Sequence, residues 1–583
     1  MKDFLKTLAA VILGTGLVIF GGVSLLIGSL TSMVTMGIGP AVTSVAPNSI
    51  LRIDFEKGVS VQDSDLPIPG FLPAELGMPA TGEGFYKMVR AIENAATDPN
   101  IKMIYLYPQY LNAQMTHIEE IRNALLLFRQ SGKPVICYSD TYSQQAYYMA
   151  SASDKVIVNP AGDISLQGFS LNVFYFKDLF DAYGIEAQVI RHGSYKSGGE
   201  IYTSPEMSPE ERTQMASYLN SAWSHWSSGI ERSRTLPEGT LDSICSAGFR
   251  VTPQEALDLH LIDEIWHKDE LTEYMCSMND VSEEKKLPVI SLSDYAQIFP
   301  AGKKFKREKI AVVYASGDLR TGTGRDGVSS GNFASQLRQY RTDSTVKAVV
   351  LRIESPGGDP LAADVITREL ELIAGVKPLV VSMGDMAASG GYWIAAPAHA
   401  IFANPTSLTG SIGVYSIFFN GEKTLNEVLH IRNERINTHA YSHFPSYRSR
   451  LSPVETGLME KMVDSTYNRF ISIVSQGRHL ERAQVEEVAK GRVWSGIQAL
   501  ENKMVDNLGG LSDAVRAASL MANLLDYRII EYPAPERFLD KIISLGKKSG
   551  TSIPDYLHEC ILTLTKNQGV QVRIPYIYNG LSF

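Results

Sequence analysis

Ser389 stands in Gly384-Asp385-Met386-Ala387-Ala388-Ser389-Gly390-Gly391-Tyr392-Trp393, a hydroxyl among alanines and glycines with nothing bulky to crowd it. The β-branched run before it (Pro378 to Val381) predicts a strand, and Tyr392 to Ala396 predicts a helix start. Glycines after the serine let a backbone N–H come close to a bound carbonyl, and a helix N-terminus favours developing negative charge. That is the chemistry of an acyl-transfer nucleophile. The same small residues also suit a helix-packing seam, so the stretch alone is only a hypothesis.

Two further segments bear on it. Strand Ala348–Ile353 is predicted to run into Glu354-Ser355-Pro356-Gly357-Gly358-Asp359, a turn able to present backbone N–H groups as an oxyanion hole requires. Alone, it is also an ordinary strand-ending turn. Lys196 lies in Arg191-His192-Gly193-Ser194-Tyr195-Lys196-Ser197-Gly198-Gly199, again among small residues. A serine needs a base, and a desolvated lysine with a lowered pKa can serve, although a single loop lysine is solvated by default.

The elements that must position these groups occur twice. Asn100–Leu106 resembles Thr345–Leu351, Lys133–Ile136 resembles Lys377–Val380, and Val158-Asn159-Pro160 matches Ala403-Asn404-Pro405. The offset stays near 245 residues, as between Ile101 and Val346 or Tyr147 and Tyr392. Such order over a long stretch marks two tandem copies of one domain. In each, short β-branched runs alternate with helical stretches such as His117–Arg129 and Ala362–Ile373, predicting an α/β fold with a parallel sheet. Both later helices open on a capping signal, Ser208-Pro209-Glu210-Glu211 and Ser452-Pro453-Val454-Glu455.

The copies have complementary losses. At the place of Ser389 the first carries Gln144, and its Tyr110-Leu111-Asn112-Ala113 lacks the glycine turn. The second has no lysine near Thr438–Ser442, the counterpart of the Lys196 loop. One composite site shared by two domains follows. The expected division is 1–48 anchor and linker, 49–266 first copy, 267–308 linker, 309–515 second copy and 516–583 extension. A Pro/Gly-rich insertion is expected at 58–80, and the tail's apolar content predicts that it packs on the body.

Composition limits the alternatives. With 44% hydrophobic and 20% charged residues the 583-residue chain can bury a sizeable core, and its net charge of -9 gives no reason to invoke nucleic acid. Cys137, Cys245, Cys276 and Cys560 lie far apart, and the eleven histidines form no HExxH, so neither a metal nor another cofactor is expected. Leu8 to Leu30 carries no charge and is long enough for a bilayer core of roughly 30 Å. Lys2 and Lys6 precede it and the next basic residue is Arg52, which predicts a cytoplasmic N-terminus and an exported body. A cleaved secretory signal is the competing reading, although the run exceeds a signal core of roughly 7–15 residues.

Together, Ser-Pro-Gly-Gly (355–358), Asp-Met-Ala-Ala-Ser-Gly-Gly-Tyr (385–392), Leu-Thr-Gly-Ser-Ile-Gly-Val (408–414), Tyr-Ser-Gln-Gln-Ala-Tyr-Tyr (142–148) and Tyr-Lys-Ser-Gly (195–198) resemble the signal peptide peptidase A (protease IV) family in its long tandem-domain form. The resemblance covers nearly the whole chain. It implies two ClpP/crotonase-like domains after an N-terminal transmembrane helix, a Ser/Lys dyad with no metal or nucleotide, and a bowl-shaped homo-oligomer, a tetramer. It implies hydrolysis of remnant signal peptides and other apolar peptides, on the periplasmic side of a bacterial inner membrane, with residues 8–30 in the lipid bilayer. By position, Ser389 is the nucleophile, Lys196 the general base, and Gly390 with Gly357 or Gly358 the oxyanion donors. Ser411 is placed either to orient the lysine amine or to serve simply as a turn residue. Rival readings are a Ser/His/Asp triad using His399, a non-proteolytic crotonase-type acyl-thioester binding protein, and a membrane scaffold.

Overall fold

The computed structural model describes residues 44–63, 82–298, 306–324, 327–533, 569–573 and 581–582. The expected membrane segment at 8–30, most of the 58–80 insertion and residues 534–568 of the tail lie outside these residues. Among the described ones, no helix is long and apolar enough to cross a membrane.

The first copy builds a fully parallel sheet in the order Glu264–Ile265, Lys155–Val158, Val135–Ser139, Ile101–Tyr107, Ser49–Asp54, Val289–Ser291. The second repeats that order with Asn507–Leu508, Ala400–Ala403, Leu379–Ala388, Val346–Ser355, Lys309–Ser316 and Arg528–Tyr532, again all parallel. Each copy also has a small antiparallel pair at the same place, Ile164–Ser165 with Arg250–Val251 and Leu408–Gly410 with Val493–Ser495. The duplication is thus one of topology as well as of sequence. Between the copies, residues 267–308 contribute the helix Lys268–Met278 and the edge strand Val289–Ser291 of the first sheet. After 515, Arg528–Tyr532 supplies the matching edge strand of the second.

Why these strands are central is plain from their residues. Val346–Ser355 and Leu379–Ala388 are rich in β-branched and small residues and buried along almost their whole length, as a sheet covered on both faces demands. Alternate side chains go to different cores. Ile310, Val312, Tyr314, Ala348 and Val350 join the first copy's core, while Ala311, Val313, Ala315, Val349, Leu351 and Ile353 face the second copy's own helices. Helix Pro360–Ala374 covers that second face with Ala362, Ala363, Ile366, Leu370 and Ile373, and starts where Asp359 accepts Leu361 N–H at 2.8 Å. The second sheet is therefore sandwiched between its own helices and the first copy.

A further mixed sheet crosses between the copies. Its order is Val328–Ser329, Leu319–Arg320, Gly357–Gly358, Gly569–Arg573, Val414–Asn420, Glu186–His192. The last pair is antiparallel over seven residues, from Val414 opposite His192 to Asn420 opposite Glu186. It ties the strand before Lys196 to the strand after Ser411.

Candidate active site

The serine strand runs further than its β-branched residues indicate. It continues through Gly384–Ala388, so that Ser389 joins it directly to helix Gly390–Ala395. Ser389 bridges the two with φ 55° and ψ −115°, a conformation rare for a residue with a side chain. Ser389 N–H donates to Gly410 O at 2.7 Å and Trp393 N–H to Ser389 O at 2.9 Å, bonds that hold the strained backbone. In the first copy, Gln144 lies inside helix Gln144–Ala150, capped by Ser143. Its side-chain oxygen accepts from Gln167 and Gly168 N–H at 2.9 Å each, so the first copy carries an amide tied to its own backbone at the sequence position of Ser389.

Lys196 reaches that hydroxyl from the other copy. Its Nζ lies 2.8 Å from Ser389 Oγ, 2.9 Å from Ser411 Oγ and 3.0 Å from Ser411 O. Ser389, Lys196 and Ser411 are all buried. Burial alone pushes the Lys196 amine well below its ordinary range. The lysine turn is held from the second copy as well, since Tyr195 N–H donates to Lys490 O at 2.9 Å and Gly491 N–H to Ile412 O at 2.8 Å. Gly491 has φ +82°, and a Cβ there would meet Lys196 Cβ at 2.6 Å, so only glycine fits under the lysine.

The glycine turn lies against the start of the serine helix. Gly357 has φ +101°, and a Cβ on it would come within 2.6 Å of Gly390 N and overlap the Val572 carbonyl. Gly390 N–H, first in its helix, has no carbonyl of that helix to bond. Gly357 N–H donates to Ser355 Oγ at 3.2 Å. Strand Gly569–Arg573 pairs antiparallel with Gly357–Gly358 and also with Val414–Asn420, so the chain's own C-terminal region covers this edge.

All six residues singled out from the sequence thus gather in one place. His399 does not join them. Its Nδ1 accepts Leu379 N–H at 3.1 Å, at the opposite end of the strand that leads into Ser389. Residues that sequence reasoning passed over include Glu211, Gln214 and Ser197, whose side chains surround the lysine turn, and Gly491 beneath it. The isolated glycine of Lys490-Gly491-Arg492 was the one visible signal.

Protease 4 of Salmonella typhi is 34% identical over 470 residues, spanning 79% of this chain and 75% of that one. The chloroplastic serine protease SPPA of Arabidopsis thaliana is 31% identical over 513 residues, 86% of this chain and 74% of its own. Among solved structures, a membrane-bound stomatin-specific protease aligns with 15% identity over 40% of this chain and all of its own, with a TM-score of 0.26. A duplicated α/β chain with the first two of these as relatives is a serine protease. It belongs to peptidase family S49, whose model matches residues 127–282 and 371–525, one block in each copy.

Proposed function

We propose that this chain is a membrane-anchored endopeptidase that hydrolyses remnant signal peptides, with Ser389 as nucleophile and Lys196 as general base. The observation that carries the reading is the 2.8 Å approach of Lys196 Nζ to Ser389 Oγ across the two copies. A neutral amine has two N–H donors and one lone pair. If the donors go to the carbonyl and hydroxyl oxygens of Ser411, the lone pair is left for Ser389 O–H. Ser411 is on this reading an orienting residue.

The steps follow. Neutral Lys196 takes the Ser389 proton as Oγ adds to the scissile carbonyl carbon. Gly390 N–H and an N–H of the Gly357–Gly358 turn receive the oxyanion. The ammonium returns its proton to the leaving amine as the C–N bond breaks. Water, giving a proton to Lys196, then attacks the acyl ester, and Ser389 regains its hydrogen from the ammonium.

In this reading the copies are ClpP/crotonase-like domains behind an N-terminal membrane helix at residues 8–30. They lie on the periplasmic side of a bacterial inner membrane, in a homo-oligomer, a tetramer. Apolar peptides are the substrates.

The test is direct. A serine-reactive phosphonate is expected to label Ser389, and Lys196→Ala to abolish both labelling and peptide hydrolysis. In the wild type, kcat/KM is expected to rise with pH through the folded-state pKa of the lysine, because only the neutral amine accepts a proton. Wild-type turnover in Lys196→Ala would sink the assignment.

A further inference from the structure

The two long helices begin on matching signals, Ser208-Pro209-Glu210-Glu211 and Ser452-Pro453-Val454-Glu455, yet the fourth residue does different things in the two copies. In the second, Glu455 closes a capping box: Ser452 N–H and Oγ–H both donate to its Oε2, at 2.8 and 2.6 Å. In the first, Ser208 Oγ still accepts Glu211 N–H at 3.2 Å, but the carboxyl does not reach back. Glu200 stands in for it, accepting from Ser208 N–H at 2.8 Å and from Ser208 Oγ–H at 3.1 Å.

Glu211 is thereby released from the cap and turned inward, where the residue is 1% exposed. Its Oε2 accepts from Ser197 Oγ–H at 2.6 Å and from the Gln214 amide. Gln214 Nε2 also donates to Tyr195 O at 3.0 Å, while its Oε1 accepts Val493 N–H from the second copy at 3.0 Å. Tyr195 and Ser197, the residues on either side of Lys196, thus both hang on one buried carboxyl–amide pair. The rewiring occurs only in the copy that carries the lysine.

The electrostatics agree. Burial raises the Glu211 carboxyl above its usual range, as does the charge of Glu200, while Ser197, Gln214 and the more distant Arg191 oppose the rise. Tyr175, which also faces Glu211, is itself pushed up to about 12, chiefly by burial. Glu211 Oε1 has no hydrogen-bond partner among the described residues, a position in which an ionised oxygen is costlier than a neutral acid.

We infer that Glu211 is a positioning residue for the base: freed from its helix cap by Glu200, it holds Tyr195–Ser197 so that the Lys196 amine stays on the Ser389 hydroxyl. This rests on the reading of Ser389 and Lys196 as the reacting pair.

The experiment uses the full chain and compares Glu211→Ala, Glu211→Gln, Ser197→Ala and the Ser197→Ala/Glu211→Ala double variant. Peptide kcat, KM, pH profile and Tm are read for each. Glu211→Ala is expected to lower kcat roughly 10–100-fold with KM nearly unchanged, because a displacement of about 1 Å costs that order of rate. Its rising limb is expected to move to higher pH as the loosened amine gains water. Glu211→Gln keeps an oxygen for Ser197 and is expected to restore most of kcat and the limb. Ser197→Ala carries the same prediction should Glu211→Ala not fold, and the double variant is expected to be no worse than the poorer single. A Glu211→Ala protein with lowered Tm but unchanged kcat and limb overturns the inference, as does Glu211→Gln as impaired as Glu211→Ala. If Lys196→Ala is inert while Glu211→Ala behaves as wild type, this inference alone is wrong. If Lys196→Ala is active, the underlying reading fails.

Discussion

Lys196 contacts a hydroxyl and the two oxygens of Ser411, and burial alone shifts its amine. An amine so placed destabilises the fold, and the pH dependence of that effect has a definite sign. The unfolded chain keeps its lysine proton up to about pH 10.4, whereas the folded chain gives it up lower. Between those two values the unfolded state binds more protons, so this group's contribution makes the protein more stable as pH rises. Below the folded pKa both states hold the proton and the penalty is constant. Lys196→Met is therefore expected to raise Tm at neutral pH by on the order of a few degrees. The gain should shrink towards pH 10.4, and scanning calorimetry across that range checks it. A gain independent of pH would mean that the amine is not shifted by burial. Ser389 and Lys196 were legible in the sequence because each copy lacks what the other keeps, so the gaps pointed to the pair. Glu211 was not legible. Its capping signal matches that of Glu455, and only the partner chosen by Ser208, three residues away, separates the two roles.

At the scale of elements, the lysine turn is clasped between the first copy's helix Pro209–Arg234 and the Lys490–Arg492 segment of the second. Gly491 is where that clasp is tightest, because a Cβ there would meet Lys196 Cβ and Lys196 N at 2.6 Å each. Gly491→Ala is expected to displace the amine and lower kcat about 100-fold, with KM for peptide little changed, since the Gly357–Gly358 turn is untouched. Steady-state kinetics check this, and a Gly491→Ala enzyme with wild-type kcat would show that the clasp yields without cost. Strand and helix positions were readable to within a few residues from β-branched runs and capping signals: Ala348–Ile353 became Val346–Ser355, and Ala362–Ile373 became Pro360–Ala374. The edge strand Val289–Ser291 was missed because a three-residue strand in a charged stretch has no periodicity to betray it. The serine strand's last part was missed because Gly384–Ala388 holds no β-branched residue to mark it. Gly384 is needed there since a Cβ would overlap the Glu354 carboxylate.

Across the whole molecule the copies are joined by a buried charge cluster as well as by shared apolar core. Arg352, 0% exposed, donates from Nη1 to Glu120 of the first copy at 2.7 Å and from Nε to Glu354 at 3.1 Å. Glu120 further accepts Leu511 N–H at 2.7 Å and Asn404 Nδ2 at 3.1 Å. Burial works against ionisation of Glu354, yet Arg352 and His117 hold its carboxyl below the usual range. The cluster reaches the serine strand, because Asp385 N–H donates to Glu354 at 3.0 Å and Thr116 N–H of the first copy to Asp385 at 2.7 Å. No local pattern announces it, since Glu120 and Arg352 are 232 residues apart. Removing one partner of a buried pair leaves the other charge uncompensated, so Glu120→Ala is expected to cost on the order of 3–5 kcal/mol. Glu120→Ala and Arg352→Met should be strongly non-additive, with a coupling of about 0.5–3 kcal/mol. Because Ile310, Val312 and Ala348 of the second sheet lie in the first copy's core, the loss should not appear as one copy unfolding before the other. Denaturant unfolding followed by hydrogen exchange is expected to show protection of Ile101–Tyr107 and Val346–Ser355 falling together, with hydrolytic activity lost in the same transition. Two separate transitions would show that each copy is stable by itself, and that the amine and the alcohol are brought together by docking rather than by a common core.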